Sequence, residues 1–532
     1  MKRIFWQVLS LLLVSILALA GCSNSGTSGN SSSEQASTNE QNKSTDPVSG
    51  GTLRIGTLMD VINLGNPPTM QRGSDKIFNS PALESLFRMN DTGEVEGFLA
   101  EGYKVEGQTV TIALKKGIKF HDGADFNAEA VKWNLEKSIE AGRSQVKNIA
   151  SIDVVDDQNV KINLASPDSL LIPNLTLSTG MMMSPKSYEE NGGEKWSESH
   201  PVGTGPFKFV SWERDQKITY EKFEGYWQEG LPYLDKVEFI PIPDTMSAVA
   251  SFKNGDLDLL YAVEPANAKD LENSKFEILR GPRPTSQLAM IPDSAHENSI
   301  LADVKVRKAV GYAIDFKSIT ETLGLGYYIP TFQLATEGSF AYNPDVEGYP
   351  YDPKKAKKLL AEAGYPDGFS ITLYGLSNQE YSNLMTAIQG YLAKVGIEAK
   401  VEMMDQLRYD TMLTGGPEKG GWNDGYAIIP MGININEVAT YNSLLGPEVS
   451  KVRLPVLDNP DEVTQLIGQT LAINDPEELK KVTHQIQELA YDKYAMVNWI
   501  YGKTSLSAKY PKVMDEDMKG SNWTPEKAWL QK

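Results

Sequence analysis

Signals for strands and helices alternate along the body of this 532-residue chain, which points to the α/β class. Val110, Ile112 and Leu114 share one face of a strand whose other face carries Thr109, Thr111 and Ala113. A helix follows, with Asn127 suited to its N-cap, Glu129 to its first turn, and Val131, Leu135 and Ile139 at helical spacing. Val237 and Phe239 lie on a strand ending at Pro241-Ile242-Pro243. Asp244 or Thr245 then opens a helix closed by Gly255, and Leu257, Leu259 and Leu260 read as the next strand. The same unit recurs where Asp352 caps a helix, Pro353 sits at its first position, Leu359 and Leu360 face inward and Gly364 stops it. Repetition of this unit predicts lobes built on largely parallel sheets.

Cys22 is the single cysteine, and it closes Leu19-Ala20-Gly21-Cys22 at the end of an apolar segment that Lys2 and Arg3 precede. This is the layout of an export signal. The N-terminal apolar segment is marginal as a membrane span, because about 20 apolar residues are needed and Gln7 and Ser15 interrupt it. Residues 23–50 are rich in Ser, Asn, Thr, Gln and Gly without an aromatic, so they predict a flexible tether. Loss of Lys2 and Arg3 from a formal charge of −19 leaves −21. A nucleic-acid partner is disfavoured, since phosphate binding depends on clustered cations and the basic residues here alternate with acids. With one cysteine there is no internal disulfide, and a body of this length must be stabilised by apolar burial.

Seven stretches in order carry a family resemblance. They are Ser85-Leu86-Phe87-Arg88, Gly93-Glu94-Val95, Leu99-Ala100-Glu101, Leu114 to Gly123, Pro201 to Phe207, Val306 to Val310 and Tyr312-Ala313-Ile314-Asp315. Together they resemble the family 5 extracellular solute-binding proteins, which include the peptide-binding components of bacterial ATP-binding-cassette importers. The resemblance implies a two-lobed, periplasmic-binding-protein type II-like fold with a third, smaller inserted lobe. After the signal at 1–21 and the tether at 22–50, it places a discontinuous first lobe at 51–79, 200–283 and 501–532, an inserted lobe at 80–199 and an opposing lobe at 284–500. Crossovers near Arg283 and Ile500 would form the hinge. Leu19 to Cys22 is similar to a lipobox, so Cys22 is the expected lipidation site and the protein a monomer anchored at the extracytoplasmic face of the bacterial membrane. Its expected partners are a peptide-like solute and the permease subunits of the importer.

Catalytic and metal motifs fail on inspection. His121, His200, His296 and His484 show no metal-ligand spacing, and no metal or other cofactor is expected. His296-Glu297-Asn298-Ser299-Ile300 carries Ile300 where a zinc-protease motif needs its second histidine. Gly502-Lys503-Thr504 ends like a phosphate-binding loop, but Val497 replaces its first glycine. Gly-x-Ser-x-Gly is missing. An enzyme is not indicated, although scattered carboxylates keep a surface hydrolase as the alternative from another class.

The expected ligand segment is Gly421-Trp422-Asn423-Asp424-Gly425-Tyr426, which resembles the Gly-Trp-x-x-Asp-Tyr stretch of peptide-binding relatives with the acid one residue early. In that reading Asp424 pairs with a ligand amine, while Trp422 and Tyr426 supply stacking faces. The alternative is that Trp422 is core and Asp424 a turn residue. Stacking faces also suit an oligosaccharide, the alternative ligand class. Asn378, Gln379 and Tyr381 are weaker candidates of the same kind.

Overall fold

The computed structural model describes residues 46–70, 73–90, 93–415, 422–433, 436–446, 454–515, 523 and 525–532. Cys22, the export signal and the tether up to residue 45 lie outside these, as does the glycine-bearing stretch 416–421.

In chain order the strands that organise the fold are β1 (Thr52–Thr57), β2 (Ala100–Glu106), β3 (Thr109–Leu114), β4 (Ile149–Asp156), β5 (Asn159–Leu164), β6 (Phe207–Glu213), β7 (Lys217–Lys222), β8 (Lys236–Pro241), β9 (Leu259–Tyr261), β10 (Glu277–Pro292), β11 (Tyr328–Pro330), β12 (Phe369–Leu376), β13 (Ile397–Met404), β14 (Gly425–Gly432) and β15 (Asn498–Lys509). The helices used below are α1 (Ala128–Glu140), α2 (Thr245–Asn254), α3 (Pro265–Asn273), α4 (Val304–Ala313), α5 (Phe316–Gly324), α6 (Pro353–Glu362), α7 (Gln379–Ala393), α8 (Gln406–Gly415) and α9 (Glu437–Leu445).

Local signals become these elements for local reasons. Asn127 accepts from Ala130 N and starts α1. Asp244 accepts from Ser247 N, and Gly255 ends α2 at φ 84, a left-handed conformation that glycine adopts without a Cβ penalty. Asp352 accepts from the amides of Lys354 and Lys355 at the head of α6, with Pro353 in the first turn.

Eleven strands form one sheet in the order β6-β7-β8-β1-β9-β15-β10-β14-β12-β13, with β11 on the edge of β15. The expected largely parallel sheets are instead one mixed sheet. Pairs β1–β8, β1–β9, β12–β13 and β12–β14 are parallel, whereas β9–β15, β10–β15, β10–β14 and the β6–β7 hairpin are antiparallel. The reason is the crossover itself: β10 and β15 are long enough to serve both halves, and they run in opposite directions. The expected crossings near Arg283 and Ile500 fall inside these two strands.

Side chains alternate between the two faces of the second half-sheet. Leu288, Met290, Leu373, Tyr426 and Ile428 pack with residues of α4 to α7. Ala289, Ile291, Ala427, Ile429 and Trp499 pack on the other face with Tyr409 and Met412 of α8 and Tyr441 of α9. The first half-sheet buries Leu53, Ile55, Val237 and Phe239 in one cluster, while Leu506 and Ala508 pack with α2 and α3 in another. Each fully buried Leu, Ile or Phe contributes about 1.5–3 kcal/mol. A separate four-stranded sheet, β2-β3-β5-β4, packs against Val131 and Leu135 of α1 around its own core.

Candidate functional site

The crossing is where the two halves meet, and the sequence makes it irregular. Arg280-Gly281-Pro282-Arg283-Pro284 carries two residues without an N–H. The β10–β15 register slips between Arg280 and Pro284, again between Pro284 and Ser286, and between Leu288 and Ala289. Gly502 is required on the opposite strand, because a Cβ there would lie 2.7 Å from Pro284 Cγ.

Register shows that the carboxyl ends of the parallel strands point at this crossing from both sides. On the first half, Tyr261 ends β9 opposite Ser507, nearer the crossing than Leu259 opposite Lys509, and β1 and β8 run in the same direction. On the second, Gly432 ends β14 opposite Ser286, and β12 and β13 run with it. Crevices outside carboxyl ends are where open α/β sheets bind ligands. Four helices begin there with capped N-termini. Asp244 serves α2 at 2.8 Å from Ser247 N, Asn378 serves α7 at 3.0 Å from Tyr381 N, Asp405 serves α8 at 2.9 Å from Arg408 N, and Asn436 serves α9 at 2.8 Å from Ala439 N.

Large apolar side chains stand exposed in the segments that follow these ends. Met59 and Ile62 come after β1, Met246 after β8 and Leu407 after β13, with 48%, 54%, 72% and 78% of their surface in solvent. The loop carrying the first two is pinned by Asp60, whose carboxylate accepts from Val61 N, Asp215 N and Trp212 Nε1. Ionic groups lie beside the crossing as well. Lys503 on β15 pairs with Glu380 at the head of α7, and Tyr501 donates to the same carboxylate. Sequence reasoning missed Met59, Ile62, Met246, Leu407, Glu380 and Lys503. For all but Lys503, which lies in the middle of β15, the local signal is a place just after a strand terminus; which termini converge is a property of the register.

The segment that precedes the smaller sheet is joined to the chain's end by a buried charge cluster. Glu84 accepts from Tyr226 Oη at 2.7 Å, Thr204 Oγ1 at 2.8 Å and Trp227 Nε1 at 2.9 Å. Arg88 bonds Glu526 at 2.8 Å with its guanidinium over the Phe98 ring, and Lys76 donates to Thr176 O at 2.8 Å. Burial pushes Glu84 up to about 7 and pulls Lys76 down to about 7. Lys76, Glu84, Arg88 and Phe98 line a cavity of about 10 Å³, about the space of one water.

The three expected ligand residues sit at the other end of β14. Trp422 is 1% exposed within the core beneath α8 and α9, and Tyr426 is 0% exposed on the opposite face of the sheet. Their faces are covered by the protein's own side chains. Asp424 keeps an exposed side chain in a turn at φ 44, and its amide donates to Asp293 Oδ2 at 2.9 Å. Asp293 also bonds His296, and burial holds its carboxyl above the usual range. Tyr426 pairs with Pro292, whereas Gly432 pairs with Ser286 beside the crossing. Six residues of strand, about 20 Å, separate the two ends. Of the weaker candidates, Asn378 caps α7 and Tyr381 is buried. Among the described residues no group of three or more His, Cys, Asp or Glu is arranged to hold a metal ion, and no helix is long and apolar enough to cross a membrane.

Two half-sheets joined by two crossing strands, with carboxyl ends converging on the join, define a binding-protein scaffold. Residues 94–425 match the family described as bacterial extracellular solute-binding proteins, family 5 middle, and the chain belongs to that family. The glutathione-binding protein GsiB of Salmonella choleraesuis is 36% identical over 333 residues, which cover 60% of this chain and 64% of that relative. CtaP, an ABC transporter substrate-binding protein of Listeria monocytogenes, shares the fold at TM-score 0.79 and 20% identity, covering 91% of this chain and 100% of its own. The periplasmic binding protein DppA of Helicobacter pylori, in complex with the peptide STSA, does so at TM-score 0.71 and 23% identity over 91% of this chain and 99% of its own.

Proposed function

We propose that this chain is the substrate-binding protein of an ABC importer, taking a peptide-like solute in the crevice at the crossing and passing it to a membrane permease. The observation that carries the reading is the convergence of six parallel strands' carboxyl ends on β10 and β15, with exposed apolar side chains from both halves around them. Such side chains are unfavourable in water and are covered when a solute is enclosed. In this reading residues 51–79, 200–283 and 501–532 act as one lobe, 284–500 as the other and 80–199 as an inserted lobe. The irregular ladder at Pro284 and Gly502 is the hinge. Cys22 carries the lipid, residues 23–50 are the tether, and the protein works as a monomer outside the cytoplasmic membrane. The named ligands of the relatives support a peptide-like solute. With Trp422 and Tyr426 buried, the aromatic platforms that favoured an oligosaccharide are not available.

Thermal shift and small-angle scattering with glutathione, Ser-Thr-Ser-Ala and a maltooligosaccharide test this. A hundredfold excess of ligand over Kd stabilises the bound form by about 2.7 kcal/mol, and closure reduces the radius of gyration. A response to the oligosaccharide alone overturns the peptide reading. Cys22→Ala, followed by membrane fractionation, tests the anchor: the protein should be left uncleaved or shed, and a cleaved protein that stays membrane-bound overturns it.

A further inference from the structure

Glu380 opens α7 immediately behind the carboxyl end of β12, and Lys503 lies on the crossing strand β15. Lys503 Nζ reaches both carboxylate oxygens, at 2.5 Å and 2.7 Å. Tyr501 Oη donates to the same carboxylate at 2.8 Å, and its ring stacks on Tyr328 at 4.6 Å between centroids. Burial, then Glu380, then Glu264 at the head of α3 raise the Tyr328 hydroxyl above its ordinary range. That ring thus feels an acid from each half of the sheet. The Glu380 and Lys503 side chains remain 30% and 26% exposed. An ion pair this accessible contributes little to stability, so opening it costs little. Buried Tyr501 holds one partner in place while Lys503 swings on a flexible stem.

A solute that splits the pair must replace what each partner loses. A single charge leaves one partner unpaired in a closing crevice, which is unfavourable. An ammonium and a carboxylate on one carbon replace both at once, and their separation suits two side chains that already touch. The termini of an extended four-residue α-peptide stand up to about 13 Å apart, too far to meet two side chains that already touch.

We propose that Glu380 and Lys503 read an α-amino-acid head group, Glu380 taking its ammonium and Lys503 its carboxylate. The solute is then a γ-linked peptide. This rests on the peptide-receptor reading and narrows it. Titration calorimetry of the unaltered protein, Glu380→Gln, Lys503→Gln and the exchanged pair Glu380→Lys/Lys503→Glu tests it, with glutathione, N-acetylglutathione and Ser-Thr-Ser-Ala as probes. Each single substitution should weaken glutathione binding tenfold or more, with the melting temperature nearly unchanged. N-acetylation should weaken binding to the unaltered protein similarly and add nothing in Glu380→Gln, because both remove one interaction. The exchanged pair keeps the internal contact, so it separates loss of recognition from loss of fold. Glutathione binding unchanged in the single variants, or unchanged by acetylation, overturns the inference. Binding of Ser-Thr-Ser-Ala without glutathione overturns it while the peptide reading stands. If neither glutathione nor Ser-Thr-Ser-Ala binds the unaltered protein, both fall.

Discussion

Gly502→Ala is the sharpest test of the crossing. Gly502 pairs with Gln287, and a Cβ at this position lies 2.7 Å from Pro284 Cγ, 3.0 Å from Pro284 Cβ and 3.4 Å from Thr331 Cγ2. Ordinary contact begins at 3.4 Å, so the two strands must part by the difference, 0.7 Å. The proline ring is tied to the backbone and cannot swing aside as a long side chain would. A ladder hydrogen bond of about 2.9 Å lengthened by that amount leaves the bonding range, so the ladder beside the crossing weakens. Overpacking of this kind costs about 1–3 kcal/mol. Urea unfolding followed by tryptophan fluorescence should show a lower midpoint with an unchanged slope. Gly390→Ala is the matched control. Gly390 is an exposed residue of α7 with nothing within 4 Å of an added Cβ, and the substitution should stabilise by about 0.5–1 kcal/mol. Equal stability of Gly502→Ala and the unaltered protein would show that the strands move apart freely, refuting the close approach as a constraint on the crossing.

Arg88→Met leaves Glu526 buried without its ion-pair partner and removes the cation from the Phe98 ring. The expected loss is about 2–4 kcal/mol, below that of a sealed pair because Arg88 is partly exposed; adding Glu526→Gln should restore part of it, and a loss under about 0.5 kcal/mol contradicts the clamp. The joint contribution of Glu84 and Lys76 to stability should pass through a minimum near pH 7. Folded Glu84 holds its proton more tightly than the unfolded chain, so its contribution falls as pH rises from 4.5 to about 7. Folded Lys76 releases its proton more readily, so its contribution recovers from about 7 to 10.5. Glu84→Gln should flatten the acid limb and Lys76→Met the basic limb, and difference curves without slope in those windows refute the assignment. Asp424→Asn should leave glutathione affinity within about twofold, since the residue lies at the far end of β14; a tenfold loss in titration would return the ligand anchor to Asp424.

Elements were legible because their causes are local. Asn127, Asp244 and Asp352 begin helices and Gly255 ends one through bonds to backbone groups a few residues away, and Val110, Ile112 and Leu114 alternate because a strand's side chains do. The α/β class and the family resemblance were legible for the same reason, since each motif is a short run of adjacent residues. Trp422, Asp424 and Tyr426 were found as a motif of this kind, but a motif does not say which end of its strand meets the crossing. That depended on pairing with Ser286 and Pro292, residues more than a hundred positions away. The mixed sheet was hidden too, because the direction of β10 and β15 follows from how the chain returns between halves. Met59 and Leu407, or Glu380 and Lys503, share no local pattern. Glu380 and Lys503 meet, and Met59 and Leu407 stand beyond strand ends directed at the same crossing, because strand register and chain crossing are long-range hydrogen-bond choices, settled only when the apolar faces of both half-sheets are buried at once.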